Sequence, residues 1–146
     1  MNASEQIEGA VLSLLTSAYT GFENDVSLFP YVAQDENDPS NEISFPAVQF
    51  ACDPFAPTNP QGSLGYVMLR VEARTDADDD PKREQLQDVF DVVIAQITPD
   101  NIGPLVMNPW LICGIDNTEE GGVSVDADSR TQAKGKAYRI AVAEIR

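Results

Sequence analysis

Alternating side chains identify the clearest structural element of this chain. Between residues 65 and 75 apolar side chains occupy every second position, and Arg70, Glu72 and Arg74 lie between them. Because successive side chains of a strand point to opposite faces, this spacing predicts a half-buried β-strand. The predicted buried face carries Val67, Leu69, Val71 and Ala73.

Apolar residues spaced by three and four positions predict two amphipathic helices. The first covers residues 4–21, with Asn2 or Ser4 suited to cap its start and Gly21 suited to end it. The second covers residues 81–97, with Asp80 as its cap and Pro81 as its first residue. The apolar stripes are Ile7, Val11, Leu14, Leu15 and Ala18 in the first helix, and Leu86, Val89, Phe90, Val93, Ile94 and Ile97 in the second.

Shorter apolar runs predict the remaining strands, and the segments rich in Gly, Pro, Asn and Asp predict the connections. In the closing strand Tyr138, Ile140 and Val142 share one face, and Arg139, Ala141 and Ala143 share the other. The predicted strands are 25–29, 45–52, 65–75, 110–115, 123–128 and 135–146, and the predicted connections are an exposed loop at 33–42, a proline-bearing connection at 53–63, a loop at 98–109 and a turn at 116–122.

The order of these elements predicts the fold class. Neither helix lies in a repeating strand–helix–strand pattern, so the strands are not expected to form a parallel sheet. We therefore predict an α+β fold with a mainly antiparallel sheet and two helices packed on one face. At 146 residues the chain is long enough for one domain, covering 1–146, and too short for two ordinary ones.

Four aspartates at positions 76 to 80 have two interpretations. Carboxylates near a helix start are stabilised by free backbone N–H groups and by the helix dipole, which favours a structural role. A calcium loop would need a glycine turn and a distant bidentate Glu, and neither follows at the required spacing. The carboxylates that a metal-dependent enzyme would use are Asp76, Asp78, Asp79 and Asp80, or Asp126 and Asp128.

Missing residue types argue against most catalytic sites. The chain has no His, which excludes a His-based triad and the usual zinc sites. Cys52 and Cys113 lie far apart in apolar segments, so buried free thiols are predicted rather than a redox pair or metal ligands. No glycine-rich phosphate loop is present. We expect no enzymatic activity, no catalytic residue, no bound metal and no cofactor.

Charge gives information about partners. Nine Lys and Arg stand against 24 Asp and Glu, and the net charge of −15 disfavours ordinary nucleic-acid binding. The first cation is Arg70, whereas a cationic cluster lies near the C-terminus. One interpretation is a contact between this cluster and acidic residues of a neighbouring subunit; the other is that the cations only reduce self-repulsion. The candidate interface residues are Arg130, Lys134, Lys136 and Arg139, facing Asp35, Glu36, Asp38 or Glu42.

Targeting signals are not evident. No apolar run approaches the ~20 residues of a membrane span. The segment "MNASEQIEGAVLSLL" carries acidic residues where a secretion signal has basic ones. A soluble protein made in the cytoplasm, without a membrane partner, is expected.

The chain resembles the tail terminator, or tail-completion, proteins of long-tailed bacteriophages. The resemblance rests on the first helix, the strand "FPAVQF", the strand "YVMLRVEART" leading into "DPKREQLQDVFDVVIAQI", and the terminal "SRTQAKGKAYRIAVAEIR". It covers nearly the whole chain as a pattern of elements. The long acidic loop and the proline-bearing connection depart from the family pattern.

The resemblance implies a structural virion protein at the head–tail junction. Such proteins form a ring, typically of six subunits, that caps the tail tube, stops its growth and provides the surface for joining the head. The implied partners are further copies of the chain, the tail tube protein and a head-side neck or connector protein. DNA would only pass through the ring, and like charge lowers its affinity for the wall.

Two alternatives remain at this stage. Another phage neck or tail component, such as a head–tail connector or a tube-like protein, would differ in partner more than in fold. A metal-dependent enzyme using the aspartates named above belongs to a different functional class.

Overall fold

The structure is a computed structural model that describes residues 2–19, 26–30, 46–125 and 130–145. These residues confirm the predicted α+β class. The helices are α1 (Ala3–Ala18), α2 (Glu84–Gln96) and the short α3 (Pro99–Ile102), followed by a 3-10 helix (Gly103–Leu105). The strands are β1 (Ser27–Pro30), β2 (Ala47–Cys52), β3 (Ala56–Pro57), β4 (Leu64–Asp76), β5 (Trp110–Val125) and β6 (Thr131–Glu144).

The strands form one mainly antiparallel sheet in the order β1-β2-β4-β6-β5, with β3 paired beside β4. Only the β1–β2 pair is parallel among the described strands. A Cβ at Gly65 would overlap the backbone oxygen of Ala56, so glycine is needed where β3 pairs with β4. The three central strands β2, β4 and β6 therefore form the platform on which the helices pack.

The helices α1 and α2 cover one face of this sheet, as predicted. The alternation of β4 is confirmed, because Val67, Leu69, Val71 and Ala73 are buried in the core. The Tyr19 hydroxyl joins the two helices by donating a 2.8 Å hydrogen bond to the Val89 carbonyl. The helices contribute Ile7, Val11, Leu15, Leu86, Val89, Phe90 and Val93 to the core, and β6 contributes Tyr138, Ile140 and Val142.

The start of α1 follows the predicted capping chemistry. Asn2 is the cap, since its side-chain oxygen accepts a 2.8 Å hydrogen bond from the Glu5 amide. Ser4, the other candidate, lies inside the helix, and its hydroxyl donates to the Asp53 carbonyl at 2.6 Å. The proposed helix end at Gly21 lies outside the described residues.

The start of α2 corrects one prediction. The helix begins at Glu84 rather than Pro81, and Pro81 lies in a turn. Asp80 still caps the helix from a distance: its carboxyl group accepts hydrogen bonds from the amides of Gln85 at 3.0 Å and Leu86 at 2.9 Å. The backbone turns sharply between Asp80 and the start of α2, because Arg83 adopts the left-handed conformation, with φ of 61°.

Two predicted connections are also corrected. The predicted turn at 116–122 is wrong, because β5 runs without interruption from Trp110 to Val125. Three register shifts along its pairing with β6 accommodate the extra residues as bulges. The loop predicted at 98–109 contains α3 and the 3-10 helix, and Ile102 is fully buried. The predicted loop at 33–42 and the end of the strand predicted at 123–128 lie outside the described residues.

Phe90 provides a test of this packing. It is fully buried between α2 and the sheet, so Phe90→Ala is expected to lower the free energy of unfolding by ~3–5 kcal/mol through lost burial and a cavity. Thermal and denaturant unfolding measure the change. Asp88→Ala, on the exposed side of the same helix, should stay within about 0.5 kcal/mol of wild type. A loss under ~1 kcal/mol for the Phe90 variant would contradict this core assignment.

Asp80 provides a second test. Asp80→Ala removes the cap of α2 and leaves the buried side chains of Thr75 and Gln132 without their shared acceptor, so a loss of ~2–4 kcal/mol is expected. Asp79→Ala is the matched control, because Asp79 is exposed in the same turn. Equal unfolding free energies of the two variants would show that Asp80 does not anchor the helix.

Candidate subunit interface

The face of the sheet opposite α1 and α2 carries no helix within residues 2–19, 26–30, 46–125 and 130–145, and we name it the helix-free face. On β4 it carries the even-numbered side chains from Tyr66 to Arg74, and on β6 the odd-numbered ones. Small residues dominate the contribution of β6, which allows another backbone to approach closely. These residues are Ala133, Gly135, Ala137, Ala141 and Ala143.

Charges on the helix-free face are compensated within the chain. Each of its arginines on β4 and β6 makes an ion pair with an acidic residue, so the face has local charge balance although the whole chain carries −15. Exposed pairs of this kind contribute only ~0.2–1 kcal/mol each to stability. The pairs are Arg70 with Asp53 at 3.1 Å, Arg74 with Glu72 at 2.6 Å and Arg139 with Asp116 at 3.1 Å.

Arg139 occupies the middle of this face. Its guanidinium group lies 4.4 Å from the centre of the Tyr66 ring and 3.1 Å from the Asp116 carboxylate. Stacking on an aromatic ring and pairing with a carboxylate together hold the side chain flat against the sheet. Arg139 therefore combines charge with a fixed orientation, as a contact surface requires.

The other predicted cations lie elsewhere. Lys134 and Lys136 are two and four residues before Tyr138 in β6, so their side chains lie on the same helix-covered face as that of Tyr138. The Lys134 ammonium donates a 2.9 Å hydrogen bond to the Gln87 side chain and lies 4.7 Å from the Phe90 ring centre. That of Lys136 lies 5.1 Å from the Tyr138 ring centre. Both stems cover the edge of the core beside α2.

Arg130 pairs with the acidic run before α2. Its side chain makes a 2.7 Å ion pair with Asp78, and its carbonyl accepts a 2.9 Å hydrogen bond from the Ala77 amide. Asp76 stabilises the same turn, since its carboxylate accepts from the Asp78 amide at 2.8 Å. Together with the cap made by Asp80, these contacts give the acidic run a structural role.

A metal site is not formed by the described residues. Within residues 2–19, 26–30, 46–125 and 130–145, no group of three or more Cys, Asp or Glu side chains is arranged to hold an ion. Asp126 and Asp128 lie outside these ranges, as do the predicted acidic interface residues Asp35, Glu36, Asp38 and Glu42. Of the four predicted cations only Lys134 and Lys136 share a face of the sheet, and the pairing of the cations with a neighbouring subunit remains a prediction.

The two cysteines differ from the prediction that both are buried. Cys113 is exposed, at the first register shift of β5. Cys52 is half-buried, and burial raises its pKa well above the ordinary thiol value, with Glu8 and Asp53 adding in the same direction. The reactive thiolate form of Cys52 is therefore disfavoured, whereas Cys113 lies at a bulge rather than in the core.

Exposed apolar side chains are a feature that the sequence did not reveal. Leu64, Leu111 and Ile145 lie at one end of the sheet, and Val123 and Val125 lie near the other end of β5. The exposure of Leu111 could not be predicted because the surrounding residues are all apolar and show no alternation. The exposure of the two valines could not be predicted because the bulges of β5 change which face they occupy. Contiguous exposed apolar groups of this kind mark interaction surfaces.

No protein-family model matches the chain, and no curated protein matches it significantly. Among the helices of the described ranges, none is both long and apolar enough to span a membrane.

The cationic cluster provides a test of charge in self-association. If Lys136 faces an acidic neighbour, Lys136→Glu should weaken association of the folded protein at low salt, and the effect should shrink as salt screens the charges. Sedimentation velocity across a salt series measures this. Lys82→Glu makes the same change in net charge at an exposed position outside the cluster and serves as control. Equal association of the two variants would contradict the interface role of Lys136.

Proposed function

We propose that this chain is a tail terminator protein: a structural virion protein that forms a ring on the end of a phage tail tube, stops tube growth and provides the surface for joining the head. The proposed partners are further copies of the chain, the tail tube protein and a head-side neck protein. The proposed location is the head–tail junction of the virion.

The observation that carries this proposal is the architecture of the sheet. Its two long helices lie on one face, and no other helix of the described residues lies on the helix-free face, in the element order on which the resemblance rests. A ring subunit needs two different contact surfaces, since each copy meets the next through a heterologous contact. The helix-free face supplies one surface with paired charges and small side chains.

The charge of the chain supports passage of DNA rather than binding to it. A net charge of −15 makes long-range contact with a phosphate backbone unfavourable. Among the described helices, α1 exposes Glu5, and α2 exposes Asp88 and Asp91. A ring of such subunits would repel a duplex that moves through it, and so prevent sticking.

Tube growth provides the test of function. Purified chain added to polymerising tail tube protein is expected to shorten the tubes and to leave one additional ring at a single tube end. Electron microscopy of the chain alone, of tubes alone and of the mixture measures tube length and the position of the ring. Tube protein polymerised with an equal amount of the destabilised Phe90→Ala variant is the control: a weaker effect of this variant on tube length would show that the effect requires the intact fold.

Other outcomes of these experiments would support one of the alternative functions instead. A chain that forms stacked rings or tubes unaided would be a tube-like component instead. A chain that leaves tube length unchanged and binds only the head-side connector would be another neck component. Stoichiometric heat of divalent-ion binding, measured by calorimetry, would support the metal-dependent alternative.

A further inference from the structure

We propose that two apolar patches join neighbouring copies of this chain head to tail; the inference rests on the proposed ring function and identifies its subunit contact. The end patch of one copy is expected to pack on the valine patch of the next. The end patch consists of Leu64, Leu111, Ala143 and Ile145, and the valine patch consists of Val123 and Val125.

The end patch is contiguous because of strand register. Ala143 of β6 pairs with Leu64 of β4 on one side and with Leu111 of β5 on the other, so the three side chains lie in a row on the helix-free face. Ile145 follows the last residue of β6, donates its backbone N–H to the Pro109 carbonyl beside β5, and adds another exposed apolar side chain at this end of the sheet. The larger side chains are 48% (Leu64), 52% (Leu111) and 53% (Ile145) exposed, and the small Ala143 leaves a depression between the two leucines.

The valine patch lies near the far end of β5. Val123 pairs with Lys134 and Val125 with Gln132, which places both valines on the helix-covered face of the sheet. They extend beyond the cover of α2 and are 38% and 49% exposed. β-branched side chains on an outer strand form a rigid apolar ridge, suited to the depression at Ala143.

The relative position of the patches determines the type of contact. Nine residues of β6 separate Ala143 from Lys134, a distance of about 30 Å along the strand. The patches occupy opposite faces and opposite ends of the sheet. A pairing of unlike patches generates a head-to-tail series, which forms a ring when the rotation between copies closes, whereas a pairing of like patches generates only a two-fold dimer.

The charge distribution favours a second copy of this chain as the partner that binds the apolar patches. Copies that each carry −15 repel one another at most orientations, so self-association needs surfaces with apolar groups and local compensation. The end patch lies on the face where the arginines are paired with acidic residues, Asp116 among them. The valine patch lies beside the cation Lys134. Both patches are thus at positions where the negative charge of the chain is locally offset, which reduces the repulsion between two copies.

Two single variants and their mixture test the inference. Leu111→Glu disables the end patch and Val125→Glu disables the valine patch, while each leaves the other patch intact. Each variant alone is expected to dissociate at least ~30-fold more readily than wild type, as for loss of a central interface residue. An equimolar mixture should form a 1:1 heterodimer, since one good contact remains and the series then stops. Sedimentation velocity and native mass spectrometry measure the species.

The controls make each outcome decisive. Leu12→Glu, at an exposed apolar position of α1 outside both patches, should associate like wild type, and circular dichroism confirms that all three variants are folded. Wild-type association in both patch variants would overturn the inference and leave the proposed function standing. Association lost only in the Leu111 variant would indicate a like-to-like contact and also overturn it. If the patch variants behave as expected but the chain has no effect on tail tubes, the proposed function alone is overturned. A wild-type protein that stays monomeric both alone and in the presence of tail tubes would overturn both.

Discussion

The buried carboxyl group of Asp80 connects three parts of the fold that are distant in sequence. It is 6% exposed and accepts hydrogen bonds from the Thr75 hydroxyl at the end of β4 and from two amides at the start of α2. The Gln132 amide of β6 completes the group, since its nitrogen lies 3.1 Å from the carboxyl oxygen and 2.7 Å from the Asp80 carbonyl. A buried polar group is tolerated only when its partners are all in place, so this cluster fixes the angle at which the chain leaves β4 and enters α2.

The position of α2 determines which face of the sheet stays open. With its start held by Asp80, the helix lays Phe90 and Val93 against β4 and β6. The Lys134 ammonium then lies over the Phe90 ring and donates a hydrogen bond to the Gln87 side chain, which closes the margin of the core. Because α1 packs on the same side through Tyr19 and Val89, both long helices of the described residues lie on one face of the sheet. Among those residues, the lack of a helix on the opposite face is therefore a consequence of the helix packing.

Periodic segments could be predicted because burial alone determines them. The alternation of β4 and the stripe of α2 follow directly from one apolar face, and the structure has both. The true start of α2 could not be predicted, because the cap reaches over a left-handed Arg83 to amides that lie five and six residues away. Nor could the continuity of β5: the glycines and polar residues at 116–122 have turn composition, yet long-range pairing with β6 keeps them extended. The apolar patches depend on this same pairing, so local sequence carried no signal for them.

Bulges in β5 control the geometry of both apolar patches. Leu111 and Val123 are an even number of residues apart, so in a regular strand they would share one face. The three register shifts between them each add one residue to β5 relative to β6, and an odd number of added residues reverses the face. Leu111 therefore shares a face with Ala143, and Val123 shares the opposite face with Lys134. If one bulge were straightened with its residue kept, Val123 would pair with an odd-numbered residue of β6 and would share a face with Leu111. The irregularity of this strand thus determines which faces its exposed apolar side chains occupy, and the proposed head-to-tail contact depends on that placement.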